Sequence, residues 1–78
     1  MGAAELGNRL KEHRARLGLT QAELAARVGV TRKTINTVEN RVFIPSALLA
    51  LKLAEALDVT VEEVFFLDQS SASVQPNS

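Results

Sequence analysis

The amino-acid sequence predicts an all-α domain of five helices, and three observations carry that expectation. Apolar residues recur at helical spacing along most of the chain. Thr, Ser and Gly stand where helices would begin and end. No strand-like alternation is long enough to count. With 78 residues there is room for one domain. A domain this small must draw its stability from closely packed helices or from a partner chain.

The first helix is expected from about Asn8 to Leu17, with Leu6, Leu10 and Leu17 at helical spacing and Gly18 closing it. The second opens at Thr20, where Thr20-Gln-Ala-Glu23 has the form of a capping box: the hydroxyl accepts from a free backbone N–H and the carboxylate reaches back. Its buried face is Leu24, Ala25 and Val28, and Gly29 ends it. Thr31 caps a third helix that runs to about Asn40 with Ile35 and Val38 turned inward. After a loop, Arg41 to Pro45, Ser46 caps a fourth helix that reaches Leu57 on a stripe of Leu49, Leu53, Ala54 and Leu57. A second capping box, Thr60-Val-Glu-Glu63, starts a short fifth helix to about Phe66.

Composition narrows the function. The sequence has no Cys, so disulfide and thiolate metal chemistry are excluded. No apolar run approaches the roughly 18 residues that span a membrane, and residues 1–7 lack a basic-then-apolar leader pattern, so a cytoplasmic protein is expected. Net charge is zero, but it is divided unevenly: residues 1–41 hold eight Lys/Arg against four Asp/Glu, and residues 42–78 hold one Lys against five acids. A basic half and an acidic half suit a partner rich in phosphate that meets one side only. An enzyme is not expected. His13 is the sole His and has no nucleophile or second ligand spaced around it, while Glu62 and Glu63 serve capping. No cofactor, metal or small-molecule ligand is implied.

The short link Gly29-Val30-Thr31 between two compact helices is the layout of a helix-turn-helix. Ala25 is small where the helices cross, Gly29 can take a positive φ, and Val30 fills the space under the turn. An ordinary helical hairpin is the alternative, but the small, Gly and branched apolar residues at positions five, nine and fifteen from Gln21 are a combination a hairpin does not require. The third helix has an outer face of Arg32, Lys33, Asn36, Thr37 and Asn40. Cations in a first turn oppose the helix dipole by roughly 0.3–1 kcal/mol each, and neutral Thr34 stands where the two capping boxes place Glu. That choice fits an anionic partner better than a solvated face that happens to be basic. In a DNA major groove Arg32 and Lys33 can donate to guanine, Asn36 can pair with adenine, and Thr37 or Thr34 can pack a methyl on thymine. Base-reading is therefore assigned to Arg32, Lys33, Asn36 and Thr37. Phosphate contact is assigned to Arg9, Thr20, Gln21, Thr31, Thr34, Asn40 and Arg41.

Two charges fall on seams that should be dry. Arg14 follows Leu10 by four residues and precedes Leu17 by three; Glu39 follows Ile35 by four. An Arg14–Glu39 ion pair is expected to tie the first helix to the end of the third, against the alternative that both side chains snorkel outward.

The runs Asn8-Arg-Leu-Lys-Glu-His-Arg14, Gly18-Leu-Thr-Gln-Ala-Glu-Leu-Ala25, Val30-Thr-Arg-Lys-Thr-Ile-Asn-Thr-Val-Glu-Asn40, Pro45-Ser46 and Leu53-Ala-Glu-Ala-Leu57 resemble the phage Cro and repressor family of helix-turn-helix regulators (the xenobiotic-response-element type). Compact single-domain members, the cytolysin-repressor type among them, look most similar. The resemblance covers about residues 8–67 and implies a repressor-like five-helix fold. It also implies a homodimer on double-stranded DNA at a near-palindromic operator. In the family the positions matching Arg32, Lys33 and Asn36 face bases, that matching Gln21 meets phosphate, and those matching Arg14 and Glu39 pair. Many members carry Gly after the residue matching Asn40, whereas this chain has Arg41, which leaves the end of the third helix open. Residues 1–7 then read as an N-terminal extension, 8–67 as the DNA-binding domain and 68–78 as a disordered tail. Leu48, Leu51, Phe65, Phe66 and Leu67 exceed what a monomer core needs and are expected at the dimer interface. The resemblance allows a short C-terminal strand there. The rival reading is a protein-interaction module, such as the antitoxin of a toxin–antitoxin pair, served by the acidic half.

Overall fold

The computed structural model describes residues 5–68. In chain order it contains β1 (Glu5–Asn8), α1 (Leu10–Arg16), α2 (Gln21–Val28), α3 (Arg32–Glu39), α4 (Ala47–Ala56), α5 (Val61–Val64) and β2 (Phe65–Asp68). Five helices stand where five were expected.

Four helices start on the hydroxyl residues that the sequence marks. Thr20 Oγ1 accepts from the Glu23 amide at 3.0 Å while the Glu23 carboxylate accepts from the Thr20 amide at 2.8 Å. Thr60 and Glu63 repeat the arrangement at α5. The Thr60 backbone N–H, and after it the Thr60 hydroxyl, hold the Glu63 carboxyl below its usual value. Thr31 and Ser46 cap α3 and α4 by accepting from Thr34 and Leu49 amides. Gly29 closes α2 at φ +77°, the left-handed conformation that a Cβ resists. The hydroxyl caps satisfy backbone donors that a helix start leaves open, and the Gly29 amide donates to the Ala25 carbonyl at the end of α2.

All five helices feed one core. Leu10, Leu24, Ile35, Leu53, Leu57 and Val64 are fully buried, with Val38, Ala25 and Ala54 close behind. α2 packs on both α3 and α4. Leu17, expected on the inner stripe of α1, is partly exposed beyond the last turn of that helix.

The ends of the domain depart from the all-α expectation. β1 and β2 pair antiparallel, from Glu5 opposite Asp68 to Asn8 opposite Phe65. Residues 5–8, read as extension and helix start, are a strand. α5 stops at Val64, so Phe65, Phe66 and Leu67 are strand rather than helix. The C-terminal strand that the resemblance allowed is present, but its partner is β1 of the same chain. The physical reason is length. Four residues are too few to show alternation, and a short apolar run does not distinguish a buried strand from a helix. A Cβ at Gly7 would run into the Phe66 ring, so the glycine lets that ring lie across β1. Of the expected tail, Asp68 belongs to β2, and residues 69–78 lie outside the described residues, as do residues 1–4 of the expected extension.

Asn8 joins the sheet to the helices. Its Oδ1 accepts from the Leu10 amide at 3.2 Å, and its Nδ2 donates to the Val38 carbonyl at 2.9 Å. The Arg9 amide donates to the Val64 carbonyl at 2.7 Å. One side chain thus ties down the first amide of α1 and holds the far end of α3. Asn8→Ala removes both bonds and is expected to lower unfolding free energy by about 2 kcal/mol, measured by urea denaturation.

Candidate nucleic-acid interface

The turn between α2 and α3 brings the end of α2 to the start of α3, while Gln21, the first residue of α2, lies against Glu39, the last residue of α3, and the expected site residues divide by what they do there. Arg32 and Lys33 are exposed in the first turn of α3 and make no ion pair among the described residues. Cations at a helix N-terminus oppose the helix dipole, so this end of α3 gains from an anionic partner. The threonines are more occupied. Thr31 Oγ1 and Thr34 Oγ1 lie 3.1 Å apart around the cap, and Thr37 Oγ1 donates to the Thr34 carbonyl at 2.9 Å. Thr37, expected as a base reader, therefore has its hydroxyl turned along its own helix.

The amides form a chain that sequence reasoning did not foresee. Asn40 Nδ2 donates to Asn36 Oδ1 at 3.2 Å, and Asn36 Nδ2 reaches Gln21 Oε1 at 3.5 Å. Gln21 Nε2 donates to Glu39 Oε1 at 3.0 Å. Asn36 and Asn40 are four apart on one helix, a spacing that brings amide side chains together; this was the available signal. The link from Gln21 to Glu39 crosses between helices and has no local signature.

Glu39 meets Arg14. Arg14 Nε donates to Glu39 Oε2 at 2.7 Å and Nη2 to Oε1 at 3.2 Å, while Nη1 donates to the Leu19 carbonyl at 2.9 Å. The two side chains are 15% and 8% exposed. A fork-on-carboxylate geometry with a further carbonyl partner uses most of the donors that burial would otherwise strand.

Arg9 and Arg41, expected on phosphates, are engaged elsewhere. The Arg9 guanidinium stacks 4.5 Å above the Phe66 ring and comes within 4.0 Å of Glu12. Arg41 takes the left-handed φ of +63° that a Gly would adopt without cost, and so ends α3. Its guanidinium pairs with Asp68 at 2.9 Å and Glu5 at 3.7 Å, one carboxylate from each strand. The Arg41 guanidinium thus staples the loop after α3 to the sheet, with 39% of its side chain still exposed.

The expected dimer surface also changes. Phe65 is 8% exposed and belongs to the monomer core, because β2 turns it under the sheet. Phe66 is half-buried beneath Arg9. Leu48, Leu51 and Leu67 are 63%, 59% and 68% exposed. Val42, Phe43 and Ile44, in the loop after α3, are also exposed, and Phe43 borders a cleft that it shares with Leu48. Among the described residues no group of side chains could hold a metal ion, and no helix is long and apolar enough to cross a membrane.

Fold and surface together define a helix-turn-helix domain whose third helix carries exposed cations in its first turn. The helix-turn-helix family model matches residues 10–64, and the chain belongs to that family, of the Cro/C1 type. The chain is 44% identical over 64 residues to an HTH-type transcriptional regulator of Bacillus subtilis, YgzD, covering 82% of this chain and 97% of that one. Among solved structures it is similar to the restriction-modification controller protein C.AhdI from Aeromonas hydrophila (TM-score 0.66, 39% identity, covering 69% of this chain and 78% of that chain). It is also similar to the P22 c2 repressor protein solved with a synthetic operator (TM-score 0.67, 30% identity, covering 69% and 82%).

The buried pair makes a sharp stability test. Arg14→Ala leaves the Glu39 carboxylate buried without its cation and is expected to cost about 3 kcal/mol. Arg27→Ala, at an exposed position of α2, should stay within about 0.5 kcal/mol of the parent. Parallel denaturant melts compare the two; equal midpoints for both variants would remove the ion pair from the account of stability.

Proposed function

We propose that the chain is a transcriptional regulator, a repressor, that binds double-stranded DNA sequence-specifically in the cytoplasm and lays α3 in the major groove. The observation that carries this reading is the pairing of two faces on one short helix. Ile35 and Val38 are locked in the core, while Arg32 and Lys33 stand exposed at the start of the helix, without an ion pair among the described residues. Arg32, Lys33 and Asn36 are assigned to bases. Thr37 is a weaker reader, left with its methyl and the acceptor side of its hydroxyl. Thr20, Gln21, Thr31, Thr34 and Asn40, with the N-terminal amides of α2 and α3, are assigned to phosphate. The P22 c2 repressor, solved on an operator, supports the reading by likeness.

The active form is a homodimer on a near-palindromic operator. Leu48, Leu51 and Leu67 are its proposed contacts, with Phe66 at the margin. A symmetric pair would set two α3 helices roughly 34 Å apart, one turn of DNA. The exposed apolar surface also favours a second reading, a protein-interaction module. A co-purifying protein together with no binding to any genomic duplex would establish it.

Binding to duplexes selected from a random pool tests the proposal. Affinity for the selected site is expected to fall by roughly a thousandfold or more between 50 and 200 mM salt if six or more phosphates are neutralised. Arg32→Ala should cost about 1–3 kcal/mol and relax one base pair in each half-site. Independently, sedimentation at tens of micromolar is expected to show a dimer; a monomer at that concentration would reject the stable homodimer and leave DNA binding to be judged by the duplex assay.

A further inference from the structure

We propose that Glu39, which lies off the reading face, is a positioning residue that fixes which end of the Asn36 amide is presented to a base. The proposal rests on the assignment of Asn36 as a base reader. It starts from a chemical asymmetry. A carboxylate paired with an arginine is an acceptor only. Glu39 Oε1 already receives Arg14 Nη2 and still faces Gln21 at 3.0 Å. Gln21 must therefore offer its NH2 to Glu39, because its carbonyl oxygen there would oppose an anion.

That choice propagates. With Nε2 committed, Gln21 Oε1 is the atom turned to Asn36, so Asn36 answers with Nδ2, 3.5 Å away. Asn36 Oδ1 is then directed to Asn40, whose Nδ2 donates at 3.2 Å. A buried negative charge thus sets the polarity of three successive amides, and the last inner one is the reader. An adenine presents an acceptor and a donor side by side in the major groove, whereas a guanine presents two acceptors. An Asn36 amide held in one sense meets the adenine edge in one order and sets its oxygen against guanine O6. An amide free to turn over can offer its oxygen to adenine N6 or its NH2 to guanine O6, so it separates the two bases less well. The Arg14–Glu39 pair therefore contributes to sequence discrimination as well as to stability, through Gln21.

The test is a binding-site selection from a random duplex pool with the full chain, comparing the parent, Asn36→Ala, Glu39→Gln and Gln21→Met. Asn36→Ala identifies the base pair that Asn36 reads. Glu39→Gln keeps the size of the side chain and a carbonyl for Arg14 but also offers an NH2, which frees Gln21 to turn. It is expected to reduce discrimination at that same base pair roughly tenfold, with preferences elsewhere in the site unchanged; a merely structural role would weaken all sites alike. Gln21→Met cuts the relay without touching the ion pair and is expected to relax the same base pair, along with any uniform loss from a missing phosphate contact. Circular dichroism reports whether Glu39→Gln folds, and if it does not, Gln21→Met decides alone. Folded variants that keep the parent preference at the Asn36 base pair overturn the positioning role. Failure of the parent to enrich any sequence would instead overturn the underlying DNA-reading assignment.

Discussion

The Arg14–Glu39 pair is the interaction on which the rest of the arrangement depends. It joins the first helix to the last residue of the third across a largely buried seam. Two isolated charges there would be costly, and the geometry meets that cost with a two-point contact and a carbonyl partner for the remaining guanidinium nitrogen. A hydrophobic pair of similar volume would serve the core as well or better. What it would lack is direction: a carboxylate that accepts from Arg14 and Gln21 together holds α1, α2 and α3 in one relative orientation.

That orientation has to be held because α3 itself is locally disfavoured. It has no acid in its first turn and two cations there instead. Eight residues with such an N-terminus would not persist alone in water. The helix is kept by what surrounds it: Ile35 and Val38 in the core, Glu39 on Arg14, the Val38 carbonyl on Asn8, and the loop after it stapled to both strands through Arg41. Stability comes from the scaffold, which leaves the exposed face of the helix available for cationic chemistry.

Much of this could be read from the sequence, for reasons that are local. The hydroxyl caps at Thr20, Thr31, Ser46 and Thr60 announce helix starts because capping needs only residues three apart. The buried faces of α2 and α3 follow the helical period. Arg14 and Glu39 could be matched because each breaks an apolar stripe. What could not be read is what depends on distant chain segments. β1 and β2 lie some sixty residues apart and are four residues each, so neither had a pattern to show. Phe65 looked like surplus apolar surface because its strand was unrecognised, and the ion pairs of Arg41 had no sequence signal because Glu5 and Asp68 come to it only through that sheet. Half of the role of Asn8 was within reach, because an Asn side chain commonly bonds the backbone amide two residues on.

The sheet also accounts for a backbone choice that otherwise runs against the chain's interest. A left-handed φ at a residue with a Cβ costs roughly 1–2 kcal/mol relative to Gly, and Arg41 adopts it where Gly would not be penalised. A glycine there would end α3 as well, but it could not reach the strands. The side chain at Arg41 converts a helix terminator into a tie between the loop after α3 and the paired segments at the two ends of the domain, with a carboxylate on each strand receiving it. The Thr37 carbonyl accepts from both the Val42 and Phe43 amides just beyond, which fixes the path of that loop. α3 is thus held at its far end by three separate devices, Asn8, Glu39 and Arg41, which tie it to the sheet and to α1.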